Sequence, residues 1–140
     1  MSFSIQDRRN IYDRASGYCH ICHKKLSFTN YGTLGTKGAW EVEHSNPRSL
    51  GGTDRLNNLY PAHIYCNRSK NNNSTRSARL RHGKTRAPLS KSARIEAKRS
   101  NSIFGALLGG TIGLIAGPWG VITGSMLGAR MGYNKNPDRD

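Results

Sequence analysis

The 140-residue chain is predicted to be an α+β protein in parts: a small metal-stapled head, a basic arm and a helical C-terminal segment. Three observations predict this. Cys19-His20-Ile21-Cys22 is answered 40 residues on by His63-Ile64-Tyr65-Cys66, spacings that suit one metal ion better than a disulfide framework. Between them an alternating run, Ala39 to His44, has the period of a strand. From Asn101 to Ala129 no residue is charged, and glycines recur at 105, 109, 113 and 117 and again at 120, 124, 128 and 132.

Composition sets the bounds. Only 35% of the residues are hydrophobic, so a head of about half the chain buries a thin core, and a metal staple is expected there. A formal net charge of +14 points to a polyanionic partner, nucleic acid before an anionic membrane surface. Three cysteines cannot all pair, which favours a reducing compartment. Met1 to Arg9 has no apolar stretch after a basic one, so no cleavable signal peptide is expected, and the cytoplasm or the cytoplasmic face of a membrane is the expected location.

Element by element, Ser4 to Ala15 predicts a short helix capped by Ser4 with Asp7 three residues on, ended by Gly17, with Ile5, Ile11 and Tyr12 on one face. Cys19, Cys22, His63 and Cys66 are the expected structural zinc ligands, with His20 and His23 as rivals, and with the alternative that His63 points into the active site. Ser27 to Gly38 predicts a loop. In the strand ending at His44, Trp40 and Val42 share one face and Glu41 and Glu43 the other. Ser45 to Thr53, with Pro47 and Gly51-Gly52, is the excursion between strands. Asp54 to Tyr60 is expected to return as the second strand with Leu56 and Leu59 inward, and His63 to about Asn71 as a helix.

The words Glu43-His44, Pro47, Gly51-Gly52, Asn58-Leu59, Cys66-Asn67 and Lys70, after Cys19-x-x-Cys22, occur in an order that resembles the HNH endonuclease family, the zinc-knuckle type of ββα-metal nuclease. The resemblance covers about residues 8 to 71. It implies a zinc-stapled ββα core that hydrolyses DNA. His44 would be the general base, Glu43 and Asn67 would hold the catalytic Mg²⁺ or Mn²⁺, and Asn58 would tether the catalytic loop. Glu43 stands where the family more often has Asp. Arg48, Arg68 and Lys70 are candidate nucleic-acid contacts.

The expected divisions are a nuclease domain over 1–74, a basic, mostly flexible arm over 75–101, a glycine-zipper segment over 102–133 and a polar tail over 134–140. Residues 68–99 hold half of the Lys and Arg, and short basic helices are expected near Thr75 to His82 and Ser90 to Arg99. The glycine stripe resembles a membrane-associated hairpin turning near Gly117-Pro118, or one kinked helix from about 103 to 129, and also suits homo-oligomer formation. Two rival functions remain in view: a zinc-stabilised DNA-binding module without catalysis, and a membrane-active or scaffold protein with a nuclease-derived head.

Overall fold

The computed structural model describes residues 3–113, 117–134 and 138. It divides into two compact units, residues 1–91 and 92–139.

The first unit opens with α1, Ile5–Asp13, whose start is closed by the capping box between Ser4 and Asp7. Ile11 is fully buried, whereas Ile5 stays exposed. After α1 the chain turns at Gly17, with φ +74°, where a Cβ would lie 2.6 Å from the Tyr12 ring. Only glycine fits that bend. The zinc-knuckle segment follows, closed by the Cys19 N–H donating to the Lys24 carbonyl and bridged between Tyr18 and Lys25.

β1, Trp40–His44, pairs antiparallel with β2, Leu59–His63, with His44 opposite Leu59 and Trp40 opposite His63. The second strand thus begins later than Asp54, and Leu56 is exposed rather than inward. Residues 56–58 are instead a single 3-10 turn. Asn58 explains the difference: its amide is committed to Asn46 and Thr53 of the excursion, so regular pairing starts one residue after it.

β2 runs directly into α2, Ile64–Lys70, and α3, Thr75–Leu80, follows after a short turn. α3 is not a free arm: Thr75 and Ala78 are buried, and Ala78 belongs to the core with Ile11, Ile21, Leu26, Trp40 and Leu59. Trp40 lies at the centre of this small core, ringed by Tyr12, Phe28 and Tyr31 at centroid distances of 5.4, 6.2 and 4.9 Å. Both faces of β1 are covered, since Glu43 is as fully buried as Trp40.

The second unit contains most of α4, Lys91–Gly113, and α5, Gly117–Asn134. The helices run antiparallel. Arg94 pairs with Asp138, Lys98 lies over the Tyr133 ring, and a Cβ on Gly132 would come within 2.0 Å of the Asn101 carbonyl oxygen. A hairpin therefore replaces the alternative of one kinked helix, and its first leg reaches back through Ser102 to Lys91 without a break. The expected turn at Gly117-Pro118 falls at the start of α5, and residues 114–116 lie outside the described residues. No described helix is long and apolar enough to cross a membrane.

Candidate functional site

One loop and two secondary-structure ends converge on the metal cluster. Cys19 and Cys22 come from the knuckle, His63 from the end of β2 and Cys66 from the first turn of α2. Their donor atoms all lie within 4.8 Å of one another, close to but looser than the edges of about 3.3–3.8 Å that a tetrahedral zinc shell with bonds of about 2.0–2.3 Å requires. The Cys22 sulfur is 3.4 Å from His63 Nδ1, which identifies that nitrogen as the donor. The Cys19 sulfur accepts the backbone N–H groups of Ile21 and His63 at 3.4 and 3.3 Å, contacts that favour a thiolate. Burial first, then Cys22 and Cys66, pushes the Cys19 thiol up, while hydrogen bonds with Cys19 and Cys66 pull Cys22 down. Three crowded sulfurs in that state suit a bound cation, and the donor set fits Zn²⁺. The rival ligands have other partners: His20 bonds Glu43 and Arg79, and His23 Nε2 lies 3.1 Å from the Arg86 carbonyl.

His44 ends β1 beside the excursion. Its Nε2 is 2.7 Å from Asp54 Oδ1, and Arg48 grips the same carboxylate through Nε at 2.9 Å and through Nη2. Hydrogen bonds from Arg48 first and His44 second hold the Asp54 carboxyl at about 2. Asp54 was not singled out in the sequence. Its only signal is that it is an acid just past the Gly-Gly turn. An imidazole protonated on Nε2 satisfies Asp54 and leaves the Nδ1 lone pair as the proton acceptor.

The excursion is fixed by Asn58, whose Oδ1 accepts the Asn46 N–H at 2.7 Å and whose Nδ2 donates to the Asn46 and Thr53 carbonyls at 3.0 and 2.8 Å. These are tether contacts. A Cβ on Gly52 would lie 1.8 Å from the Asn46 carbonyl oxygen, so the same loop requires glycine there.

Behind His44 lies a buried charge network. Glu43 accepts from Thr75 Oγ1 at 2.5 Å, from His20 Nδ1 at 3.2 Å and from Lys70 Nζ at 3.2 Å. Burial alone would raise the Glu43 carboxyl, but the bonds from His20 and Thr75 and the charge of Lys70 outweigh it and hold it below the usual range. Burial keeps His20 below its ordinary value, against the pull of Glu43. One neutral tautomer then serves both neighbours: Nδ1–H donates to Glu43, and Nε2 accepts from Arg79 Nη1 at 3.0 Å. His20 stacks on Tyr60 at 3.8 Å, and the Arg14 guanidinium also lies over that ring, 4.4 Å from its centroid. Lys70 also donates to the His44 carbonyl at 3.0 Å, and Thr75 to the Ser45 carbonyl at 3.1 Å.

Two expectations change as a result. Lys70 is 2% exposed and braces the backbone of His44, so it is not placed to meet phosphate; Arg48 and Arg68 remain exposed. Glu43 and Asn67 are each engaged elsewhere: the Glu43 oxygens are enclosed by the network, and Asn67 Nδ2 donates to Glu41 Oε1 at 2.8 Å. As arranged, that pair does not fit a shared divalent ion. The sequence could not show this, because the partners of Glu43 lie 23 to 32 positions away in the chain.

Residues 19–73 match the family model described as HNH endonuclease. Comparison with curated proteins and with solved structures gives no match. The two-stranded sheet, the helix that follows it and the Cys/His cluster agree with the zinc-binding core of that family. Over residues 19–73 the head of this chain is thus similar to HNH endonuclease domains, a likeness that supports a nuclease-type function in general and DNA as a partner.

Proposed function

We propose that the protein is a metal-dependent endonuclease that hydrolyses DNA phosphodiester bonds, with His44 as general base. The observation that carries this reading is the setting of His44. Its imidazole is aimed by Asp54 at 2.7 Å, and its carbonyl is held by Lys70 at 3.0 Å, inside a domain of the HNH family. Nδ1 of His44 takes the proton of the attacking water. Asp54 fixes the ring and stabilises the imidazolium that results, much as a carboxylate does behind a catalytic histidine elsewhere. Arg48 and Arg68 supply positive charge for the phosphodiester backbone. A divalent cation, Mg²⁺ or Mn²⁺, would offset charge on the phosphate. Because Glu43 and Asn67 do not form its site as arranged, the step derived from the chain is the proton transfer alone. The reading places this activity at the cytoplasmic face of a membrane, through the exposed apolar side chains of the second unit.

The test is plasmid cleavage by purified protein in EDTA, in Mg²⁺ and in Mn²⁺, with His44→Ala beside the wild type. The expected result is cleavage only with a divalent ion, and a loss of roughly 10²-fold or more in the variant. A folded, zinc-loaded wild type that binds DNA and cuts it under none of these conditions would replace the enzyme with a zinc-stabilised binding module.

A further inference from the structure

The second unit carries charge only toward one end. Its basic residues are Arg94, Lys98 and Arg99 on one leg, Arg130 on the other, and Lys135 and Arg139 beyond it in the sequence, and nothing from Asn101 to Ala129 is charged. The contacts of Arg94 with Asp138, Lys98 with Tyr133 and Asn101 with Gly132 bring these two stretches together at the open end of the hairpin. The legs beyond them are uncharged and present large apolar side chains outward. Phe104, Leu107 and Leu108 on α4 are 65, 67 and 51% exposed, and Ile122, Met126 and Leu127 on α5 are 56, 71 and 64% exposed. Scattered exposed leucines are ordinary, but runs of them on both legs of one hairpin are not.

We infer that this hairpin is a one-sided anchor for an anionic bilayer: the uncharged legs enter the acyl region from one face and the basic open end stays among the headgroups of that face. This deepens the membrane placement proposed above and rests on it. Length and charge select this arrangement over the alternatives. From Asn101 to Gly113 a helix rises roughly 20 Å, against a hydrocarbon core of about 30 Å, so the leg reaches past the midplane and stops short of the far face. No described helix qualifies as a span. A second copy packed in parallel would bring up a second basic end, and in either direction it adds to a molecule already at net charge +14. Anionic headgroups complement that end, at about 1 kcal/mol for each basic residue near the surface.

The experiment is flotation of the full chain with vesicles of phosphatidylcholine alone or with about one third phosphatidylglycerol, followed by quenching of tryptophan emission with brominated lipids. Trp40 is fully buried in the head, so Trp119, at the start of α5, is the expected reporter, and Trp119→Phe is its control. Flotation is expected with the anionic vesicles, weakened by salt, with bromines near the bilayer centre quenching best. Leu107→Asn together with Met126→Asn, both at exposed positions, should lower partitioning roughly tenfold or more, while His44→Ala floats as the wild type does. Failure to float with either vesicle overturns the anchor, as does concentration-dependent self-association that buries the same side chains without lipid. Neither result touches plasmid cleavage in solution, which tests the nuclease reading separately.

Discussion

Replacing Lys70 with methionine tests whether the buried network braces the head. Methionine keeps much of the side-chain volume and removes the charge. Lys70 Nζ lies 3.2 Å from Glu43 Oε1, with side chains 3% and 0% exposed. Two unit charges at that distance attract by roughly 5 kcal/mol at an effective dielectric constant of about 20. Glu43 stays ionised, as the depression of its carboxyl shows, so the substitution strands a buried carboxylate on His20 and Thr75 alone. Breaking a buried pair from one side costs about 3–5 kcal/mol. The assay is urea unfolding of the zinc-loaded protein in a Trp119→Phe background, so that Trp40 reports the head. With an m-value of roughly 1–3 kcal/mol per molar, the midpoint should fall by about 2 M. Adding Glu43→Gln should recover about 1–3 kcal/mol, because the stranded charge is then gone. A loss within about 1 kcal/mol, additive with Glu43→Gln, would refute the reasoning.

The remaining predictions are local. Gly52→Ala forces a Cβ to within 1.8 Å of the Asn46 carbonyl oxygen, backbone that cannot swing aside, and should lower the melting temperature; Gly51→Ala meets nothing within 4 Å and should cost only about 1 kcal/mol for its positive φ. Equal effects at the two glycines would contradict the loop geometry. Removing zinc with a strong chelator should abolish the near-UV circular dichroism of the head, and metal analysis should find one zinc per chain in the wild type and none in Cys66→Ser; a head that keeps its tertiary signal without metal would show the cluster to be dispensable. The Asp54 carboxyl is depressed from 3.8 to about 2, so its contribution to stability is present above pH 4 and is lost as pH falls through 2. The difference in melting temperature between wild type and Asp54→Asn should therefore be constant above about pH 5 and shrink below it, and should also weaken with salt because the group is exposed.

What the sequence made legible was chemistry set by near neighbours. The Ser4–Asp7 cap, the Cys-x-x-Cys knuckle, the strand ending in His44 and the Gly-Gly turn each depend on residues within a few positions, and each formed where expected. The zinc quartet was legible across a long gap because thiolates and imidazole have few other reasons to recur at that spacing. The failures have a common cause. Glu43 appeared to belong to the open face because strand alternation says nothing about what covers the second face, and here His20, Lys70 and Thr75 close over it. Lys70 resembled a phosphate contact because a lysine at the end of a helix is usually solvated. The basic composition of residues 75–82 suggested a solvated arm, yet only Thr75 and Ala78 had to face inward to dock α3.

The zinc cluster and the base are therefore better regarded as one mechanical unit than as a staple beside an active site. Cys19 and His20 are adjacent: one side chain enters the metal cluster and the other bonds Glu43. Glu43 and His44 are adjacent in turn, and Lys70, four residues beyond Cys66, bonds the side chain of the first and the carbonyl of the second. The cluster thus reaches His44 by two short routes, through the knuckle and through α2, the first by the buried His20–Glu43 hydrogen bond and the second by the buried Lys70–Glu43 ion pair. A head with so thin a core has little else to hold a histidine in place. On the proposed reading, loss of an ion from the cluster would free both routes at once, so zinc would act on the position of His44 through Glu43 and Lys70 rather than by touching substrate.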